Sequence, residues 1–294
     1  MLKRFEYTSL LGWSASRYDM FKLCKRQYYY NYYAKYDKEF PLDKLKYLKN
    51  LTSIALETGT IVHDVHETLF KRLQKSDEEI DQERFFKYAF DLTEKNCSSK
   101  SFIEVYYKEI VKVNSDELYD KVKLCLINLL GSDRFAWILN KAIESKNNWI
   151  IEPPGYGETR INGLKAYCKV DFLYPIHDEV FIIDWKTGKQ DEEKHRKQLI
   201  GYTVWASYHL GIAPSKINPI VSYLFPNYDE VKVRFTEEDI KDFSDKLLEE
   251  TNEMYVFCSN INENVPKDKF EFVKTENERI CAYCNFKELC FGSN

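Results

Sequence analysis

The 294-residue sequence has no long apolar run, and no stretch approaches the roughly 20 residues that a helix needs to cross a membrane. We therefore predict no membrane contact. The first residues include basic side chains but neither a continuous apolar core nor a small-residue cleavage site, so we predict no signal peptide and a cytoplasmic location. Low-complexity linkers and internal repeats are also absent from the sequence, which favours a single folded domain over 1–294.

The sequence also lacks an excess of positive charge. Its net charge of −4 and pI of about 5.9 exclude a generic basic coat for nucleic acid. Any contact with DNA would therefore need a local basic patch or a bound cation. An acidic site that holds a divalent metal would fit this charge balance.

What the chain does contain is a change of character along its length. Residues 76–150 have helical spacing with a single glycine, Gly131, and read as a helical insertion. Short β-rich runs separated by turns follow, with one helix embedded among them. This order predicts an α/β fold with a mixed β-sheet flanked by helices. Further helices are predicted over 14–36, 52–74, 191–209 and 237–257.

The segment VFIIDWKTGK carries the most informative chemistry. Asp184 and Lys186 are two residues apart on a predicted strand and share one face. Asp171 lies in the preceding strand, and the short turn between the strands predicts a hairpin that brings the two acids together. Two close carboxylates repel each other, and a divalent cation such as Mg²⁺ or Mn²⁺ relieves the repulsion. Taken alone, the acid and lysine are equally consistent with a surface ion pair.

Two further elements have suggestive spacing. Gln198 and Tyr202 lie four residues apart on the next predicted helix and therefore share a face. His63 follows Gly59 by four residues in another predicted helix, and that glycine would let the helix approach another part of the backbone closely.

The order of these motifs resembles that in the RecB-like branch of the PD-(D/E)XK nucleases. The motifs are, in sequence order, GxxxH, an isolated strand aspartate, DxK followed by TGK, and QxxxY. The resemblance implies a restriction-endonuclease-like fold and a metal-dependent DNA nuclease. It implies metal ligation by the side chains of His63, Asp171 and Asp184 and by the carbonyl of Trp185. Lys186 would be the catalytic lysine. Gln198 and Tyr202 would position the scissile strand or brace the site.

Other polar residues are further candidates for the same site. Glu158 is either an auxiliary acid or, as we prefer, an exposed residue at the start of a strand. His66 is either a metal ligand beside His63 or, as we prefer, a bystander. His195 lies in a basic run and is able to contact phosphate. His177 and His209 read as surface residues.

Four of the eight cysteines have the spacing of a metal site. Cys281, Cys284 and Cys290 form C-x2-C-x5-C, and Cys24 stands alone near the start. Structural disulfides are rare inside cells, and four thiolates suit tetrahedral Zn²⁺ or a cubane iron–sulfur cluster. The spacing does not decide between these metals. The other cysteines read as core residues: Cys97, Cys125, Cys168 and Cys258.

A lone cysteine followed by a distant C-x2-C-x5-C is similar to the AddB-like and CRISPR-associated iron–sulfur exonucleases. The resemblance implies a 4Fe–4S cluster bound by residue 24 and segment 281–290, which would clip the two ends of the chain together. Such a clip would close a loop of about 250 residues and stabilise the fold by several kcal/mol.

The resemblance leaves three kinds of function open. The first is an exonuclease acting on single-stranded DNA or duplex ends, in DNA repair or recombination or in CRISPR spacer acquisition. No GxxxxGK(S/T) motif is present, so a helicase, or a CRISPR integrase, would be a separate partner. The second is a catalytically inactive DNA-binding module of the same fold. The third is a zinc-stabilised transcription or scaffold protein, in which the acid–lysine pair is incidental. Basic residues in 186–197 and 22–26 would contact phosphate, and Tyr28, Tyr29 and Tyr30 would either stack on bases or pack as part of a buried helix.

Overall fold

The computed structural model describes residues 2–153, 155 and 157–292. Its chain divides into two compact units. Unit 1 comprises Met1–Arg4, Ser53–Thr159 and Cys168–Lys241, and unit 2 comprises Phe5–Thr52, Arg160–Tyr167 and Asp242–Asn294. In the described part of the chain, no helix combines the length and the apolar character that crossing a lipid bilayer requires.

The α-helices are α1 (Ala15–Leu23), α2 (Lys25–Tyr32), α3 (Leu42–Lys49), α4 (Ile54–Lys75), α5 (Gln82–Ser99), α6 (Ile103–Tyr106), α7 (Ser115–Leu130), α8 (Asp133–Asn140), α9 (Glu192–Leu210), α10 (Glu237–Tyr255), α11 (Glu278–Ala282) and α12 (Lys287–Phe291). The strands are β1 (Ile150–Ile151), β2 (Glu158–Ile161), β3 (Leu164–Tyr167), β4 (Phe172–Ile176), β5 (Glu179–Lys186), β6 (Ile217–Tyr223), β7 (Asp229–Lys232), β8 (Cys258–Asn260) and β9 (Val265–Pro266). Short 3₁₀ turns lie at Ala34–Tyr36, Ala142–Asn148, Pro214–Lys216 and Lys269–Glu271.

Unit 1 is built on a five-stranded sheet in the order β1-β4-β5-β6-β7. Strand β5 pairs in parallel with β6, and every other neighbouring pair is antiparallel. Helix α9 makes the connection between β5 and β6, because parallel neighbours need a crossover rather than a tight turn. The predicted mixed sheet with flanking helices is confirmed, and so is the hairpin of β4 and β5.

Residues alternate between the two faces of β5. Ile183 and Trp185 point into the main core, where they pack with residues of α4 and α7. Asp184 and Lys186 therefore point to the opposite face, toward α9, since the Tyr202 hydroxyl on α9 bonds Asp184. One strand thus supplies core packing from one face and charged chemistry from the other.

The helical region before the sheet covers most of the predicted insertion. Helices α5 to α8 fill it, and α5, α7 and α8 begin with side-chain caps from Asp81, Asn114 and Ser132. Buried residues of α7, including Cys125 and Leu126, join the same core as the sheet. The assignment of 76–150 as an insertion, like that of 1–294 as a single domain, stays a prediction.

Unit 2 has an aromatic core. Tyr28, Tyr29 and Tyr30 are 0%, 2% and 1% exposed, so the tyrosine run packs inside the unit and is not available to stack on bases. Tyr28 and Tyr29 contact Phe272 at ring-centroid distances of 6.4 Å and 5.1 Å, and Tyr30 contacts Phe286 at 5.3 Å.

The single helix predicted over 14–36 is two helices. Cys24 adopts an extended conformation (φ −159°, ψ 107°), which ends α1 and begins α2. Its sulfur accepts a hydrogen bond from the backbone N–H of Gln27 at 3.5 Å. The cysteine therefore acts as the N-cap of α2, and its sulfur lies at a helix N-terminus, where a negative charge is favoured.

Candidate active site

The polar site of unit 1 forms where α4, β1, β4 and β5 meet. His63 projects from α4, and its Nε2–H donates to the carbonyl oxygen of Trp185 at 3.1 Å. Its Nδ1 lies 3.5 Å from Asp171 Oδ2 and 3.7 Å from Glu152 Oε1. One ligand atom from each of His63, Glu152 and Asp171 lies within 4.8 Å of the others. The structure thus gathers three groups of metal-binding chemistry from distant parts of the chain.

Gly59 allows α4 to lie this close to the strand end. A Cβ atom at position 59 would come within 3.3 Å of the Thr187 hydroxyl oxygen, closer than most side-chain contacts allow. The glycine one turn before His63 therefore leaves room for the Thr187 side chain in the loop that follows β5, while the predicted close approach to a backbone stays a prediction.

Burial and neighbouring charges shift the pKa values of the site residues in opposite directions. Burial raises the pKa of Asp171, the nearby Asp184 raises it further, and His63 and Lys186 oppose them, which leaves the value at about 7. Burial would lower the pKa of His63, but Asp171, Glu152 and Asp184 raise it to about 9. These groups therefore hold protons near neutral pH, and a divalent cation that binds them would displace those protons.

A second polar chain runs through the same strand end. Lys186 Nζ lies 2.7 Å from Asp184 Oδ2, and the Tyr202 hydroxyl donates to Asp184 Oδ1 at 2.8 Å. Gln198 donates to the Tyr202 hydroxyl oxygen from one turn earlier on α9. Asp184 is 1% exposed, whereas the side chain of Lys186 is 22% exposed. The carboxylate is therefore held from two sides, and the amine remains reachable from solvent.

Glu152 was not predicted for this site. It follows β1 directly, its backbone has φ 36°, and its N–H donates to the Asp171 carbonyl oxygen at 2.9 Å. A non-glycine residue in this left-handed region is strained, and such strain is common at functional sites. Lys169 bonds the carboxylate at 2.6 Å. Burial opposes ionisation of the Glu152 carboxyl group, but His63 and Lys169 lower its pKa to about 2.

Sequence signals for Glu152 were weak. An acid directly after the apolar pair Ile150–Ile151 and before Pro153 is the one local feature that marks it. Glu158, which was weighed instead, begins β2 as predicted but is half-buried rather than exposed.

The remaining histidines lie outside the candidate metal group. His66 is 1% exposed and packs edge-on against Trp185, with centroids 5.1 Å apart, and its interpretation as a bystander stays a prediction. His177 lies in the turn between β4 and β5. His209 is 4% exposed, and its Nε2–H donates to the Glu158 carbonyl oxygen, so the prediction of a surface residue was wrong. It is buried because α9 lies with this face inward.

The four cysteines of the predicted clip line one pocket in unit 2. Their neighbours there include Tyr30, Phe286 and Phe291, together with Lys274 and Lys287. Burial raises the pKa of Cys284 to about 12, and the other three cysteines add to the rise. Four thiols that line one pocket form a donor set that suits a cation. Cys125, Cys168 and Cys258 are buried and Cys97 is partly buried, as predicted.

A family model described as the PD-(D/E)XK nuclease superfamily matches residues 12–291. The chain belongs to this superfamily. PD-(D/E)XK proteins are generally metal-dependent nucleases and typically use Mg²⁺ or Mn²⁺. The group of His63, Glu152 and Asp171 in this PD-(D/E)XK chain has imidazole and carboxylate donors that fit either ion.

Comparison with solved structures finds similarity to one described as "Crystal structure of SSO0001". The two chains share 17% identity over 77% of this PD-(D/E)XK chain and 96% of the other, with a TM-score of 0.30. No curated protein sequence matches the chain.

Proposed function

We propose that the protein is a divalent-metal-dependent deoxyribonuclease that degrades single-stranded DNA or duplex ends as an exonuclease, in DNA repair or recombination. The observation that carries the proposal is the meeting of the group His63–Glu152–Asp171 and the pair Asp184–Lys186 at one strand end. A nucleic acid rather than a protein or small molecule is the substrate in this proposal because members of the superfamily are generally nucleases.

His63, Asp171 and Asp184 would hold the metal with the Trp185 carbonyl, as the resemblance implies, and Glu152 extends this donor set. Mg²⁺ or Mn²⁺ bound there would polarise a phosphoryl oxygen and lower the pKa of a bound water. Because His63 already bonds the Trp185 carbonyl oxygen, the side-chain and backbone donors are near one another without rearrangement of α4.

Lys186 would act beside the attacking water. Its amine is fixed by Asp184, and Asp184 is fixed in turn by Tyr202 and Gln198. A cation held in this way stabilises the negative charge that grows on the phosphoryl oxygens. Cleavage would leave a 5′-phosphate and a 3′-hydroxyl.

Digestion of end-labelled single- and double-stranded DNA with Mg²⁺ or Mn²⁺ tests this proposal. We expect Lys186→Ala and Asp184→Ala each to lower the rate at least about 100-fold. Lys123→Ala, at an exposed lysine on α7, is the matched control and should leave the rate unchanged. Equal degradation by all four proteins would exclude the catalytic assignment, and no degradation by any would favour the inactive DNA-binding module.

A circular single strand separates exonuclease from endonuclease action. The circle has no end, so an exonuclease should leave it intact while it degrades the linear form of the same sequence. Cleavage of both forms at similar rates would contradict the exonuclease assignment and leave the metal-dependent mechanism in place.

We also propose that Cys24, Cys281, Cys284 and Cys290 hold a 4Fe–4S cluster. Their shared pocket supports this proposal because it gathers four sulfur ligands around one space, with the sulfur of Cys24 at the start of α2. Anaerobically purified protein should contain about four iron atoms per chain and absorb visible light. Cys284→Ser should abolish both signals, and Cys97→Ser should not. Stoichiometric zinc without iron would contradict the cluster.

A further inference from the structure

His195 lies on the same face of α9 as two residues of the candidate active site. His195, Gln198 and Tyr202 have the spacing i, i+3, i+7, which places them in one row along a helix. Gln198 and Tyr202 are joined to Asp184 by hydrogen bonds. His195 therefore occupies the N-terminal end of the row of α9 side chains that faces the end of β5, although it is only 8% exposed.

Tyr223 fixes the imidazole from the neighbouring strand. It is the last residue of β6 and is the register partner of Lys186 in the parallel pairing of β5 and β6. Its hydroxyl lies 2.7 Å from His195 Nδ1, and the two ring centroids are 5.4 Å apart. The histidine is thus tied to the strand position beside the catalytic lysine.

The direction of this hydrogen bond follows from the protonation of the two rings. Burial raises the pKa of Tyr223, so the phenol keeps its proton and can donate it to Nδ1 of His195. An imidazole that accepts at Nδ1 carries its hydrogen on Nε2. Burial and the charge of Lys186 lower the pKa of His195 against the opposing effect of Asp184, so the ring is neutral at pH 7.

We propose that His195 binds the nucleic acid, with Nε2–H donating to a non-bridging oxygen of a backbone phosphate next to the scissile phosphodiester. The inference rests on the proposed nuclease function and extends it to a residue outside the metal and lysine groups. No hydrogen bond joins Nε2 to another residue in the described part of the chain. A neutral donor fixes the position of the strand without competing with Lys186 for the charge of the reacting group.

The salt dependence of DNA binding distinguishes a contact made by a neutral histidine from one made by a charged lysine. Removing a cation that pairs with phosphate reduces the salt dependence of DNA binding, with a slope change of about 0.7 for a single strand. Removing a neutral donor weakens binding while the slope stays constant. His195→Leu should therefore lower affinity for a fluorescent single-stranded oligonucleotide with no change in slope, whereas Lys194→Ala, at an exposed neighbour on α9, should change the slope if that lysine contacts the strand.

Steady-state kinetics on the same oligonucleotide tests the contact further. His195→Leu should lower kcat/KM about tenfold to a hundredfold, mainly through KM, because a hydrogen bond to a charged oxygen is lost. His195→Gln keeps a donor and should recover most of the loss. Tyr223→Phe frees the imidazole to change tautomer and should give an intermediate effect. Thermal denaturation of each variant shows whether it is folded.

Substrates with one methylphosphonate, which replaces a charged phosphate oxygen by a methyl group, locate the partner. At the contacted position this change should slow the wild type and should not slow His195→Leu further. Equal affinity, KM and methylphosphonate sensitivity in the wild type and His195→Leu would overturn the inference. A wild type that binds the oligonucleotide through His195 but never cleaves it would instead remove the proposed catalytic function and retain the contact.

Discussion

Asp171 and His63 hold protons that a metal bound to them would have to displace. Asp171 has a pKa of about 7 and His63 of about 9, both raised above their ordinary values. Metal ligands bind as carboxylate and neutral imidazole, so protons compete with the cation for these two groups. The competition weakens as pH rises, which fixes the sign of the pH dependence.

We predict that affinity for Mn²⁺ rises by about tenfold per pH unit between pH 6 and pH 8, because at least one proton is displaced on binding. Titration calorimetry in buffers of different ionisation enthalpy measures both the affinity and the number of protons released. His63→Asn should bind more weakly and with a shallower pH dependence. An affinity that stays constant over this range would show that neither group ligates the ion.

The sequence predicts residues whose partners are near in the chain better than residues whose partners are distant. The pair of Asp184 and Lys186 and the pair of Gln198 and Tyr202 follow from strand and helix periodicity, and both pairs are in contact. Glu152 has no such neighbour, because its place beside His63 depends on how β1 is set against α4. Spacing alone carries no information on that packing.

At the scale of elements, α4 joins the core to the candidate active site. Its apolar residues, among them Ile61, Val65 and Phe70, lie in the main core, while His63 points to the polar group. Phe70 stacks on Phe172 at 4.3 Å and on Trp185 at 5.9 Å between centroids. The packing that supports β4 and β5 therefore also determines where His63 lies.

Phe70→Ala tests this support. Phe70 is 1% exposed, and removing a buried phenyl ring should lower the free energy of unfolding by about 3–5 kcal/mol. Leu56→Ala on the same helix is the control, since Leu56 is 63% exposed and its truncation should change stability by less than about 0.5 kcal/mol. Chemical denaturation gives both values, and similar losses in the two variants would mean that the aromatic stack is not what anchors α4.

Helix bounds also show where local patterns are sufficient. The helix predicted over 52–74 is observed as Ile54–Lys75, and that over 191–209 as Glu192–Leu210. Both have side-chain caps at their starts, Ser53 and Asp191, which sequence patterns reveal. The break at Cys24 is invisible to such patterns, because a cysteine caps a helix less often than the residues on which capping rules rest.

At the scale of the whole molecule, the cysteines come from opposite ends of the sequence and meet within unit 2. Cys24 is about 250 residues from Cys281. A group that binds both holds a long loop closed, which reduces the entropy of the unfolded chain and contributes several kcal/mol by analogy with a disulfide.

Cys24→Ser should therefore lower the thermal stability of unit 2 more than that of unit 1. Hydrogen exchange would report this as faster exchange in α1, α2 and segment 242–292, with the strands of unit 1 little changed. Cys258→Ser, a buried cysteine outside the pocket, controls for the loss of a thiol as such. Uniform effects on both units, or equal effects of the two variants, would contradict a stabilising role of the bound group.

The interleaving of the two units has a consequence for synthesis on the ribosome. Unit 1 takes nearly all of its residues from one stretch of the sequence, 53–241, broken only at 160–167. Unit 2 needs the segment after residue 241 as well as the segment before residue 53. The strands that carry the acidic residues therefore emerge from the exit tunnel while α1 and α2 still await α11 and α12. Three of the four thiols follow unit 1 in the sequence, so a group that binds all four would be held only after unit 1 has been translated.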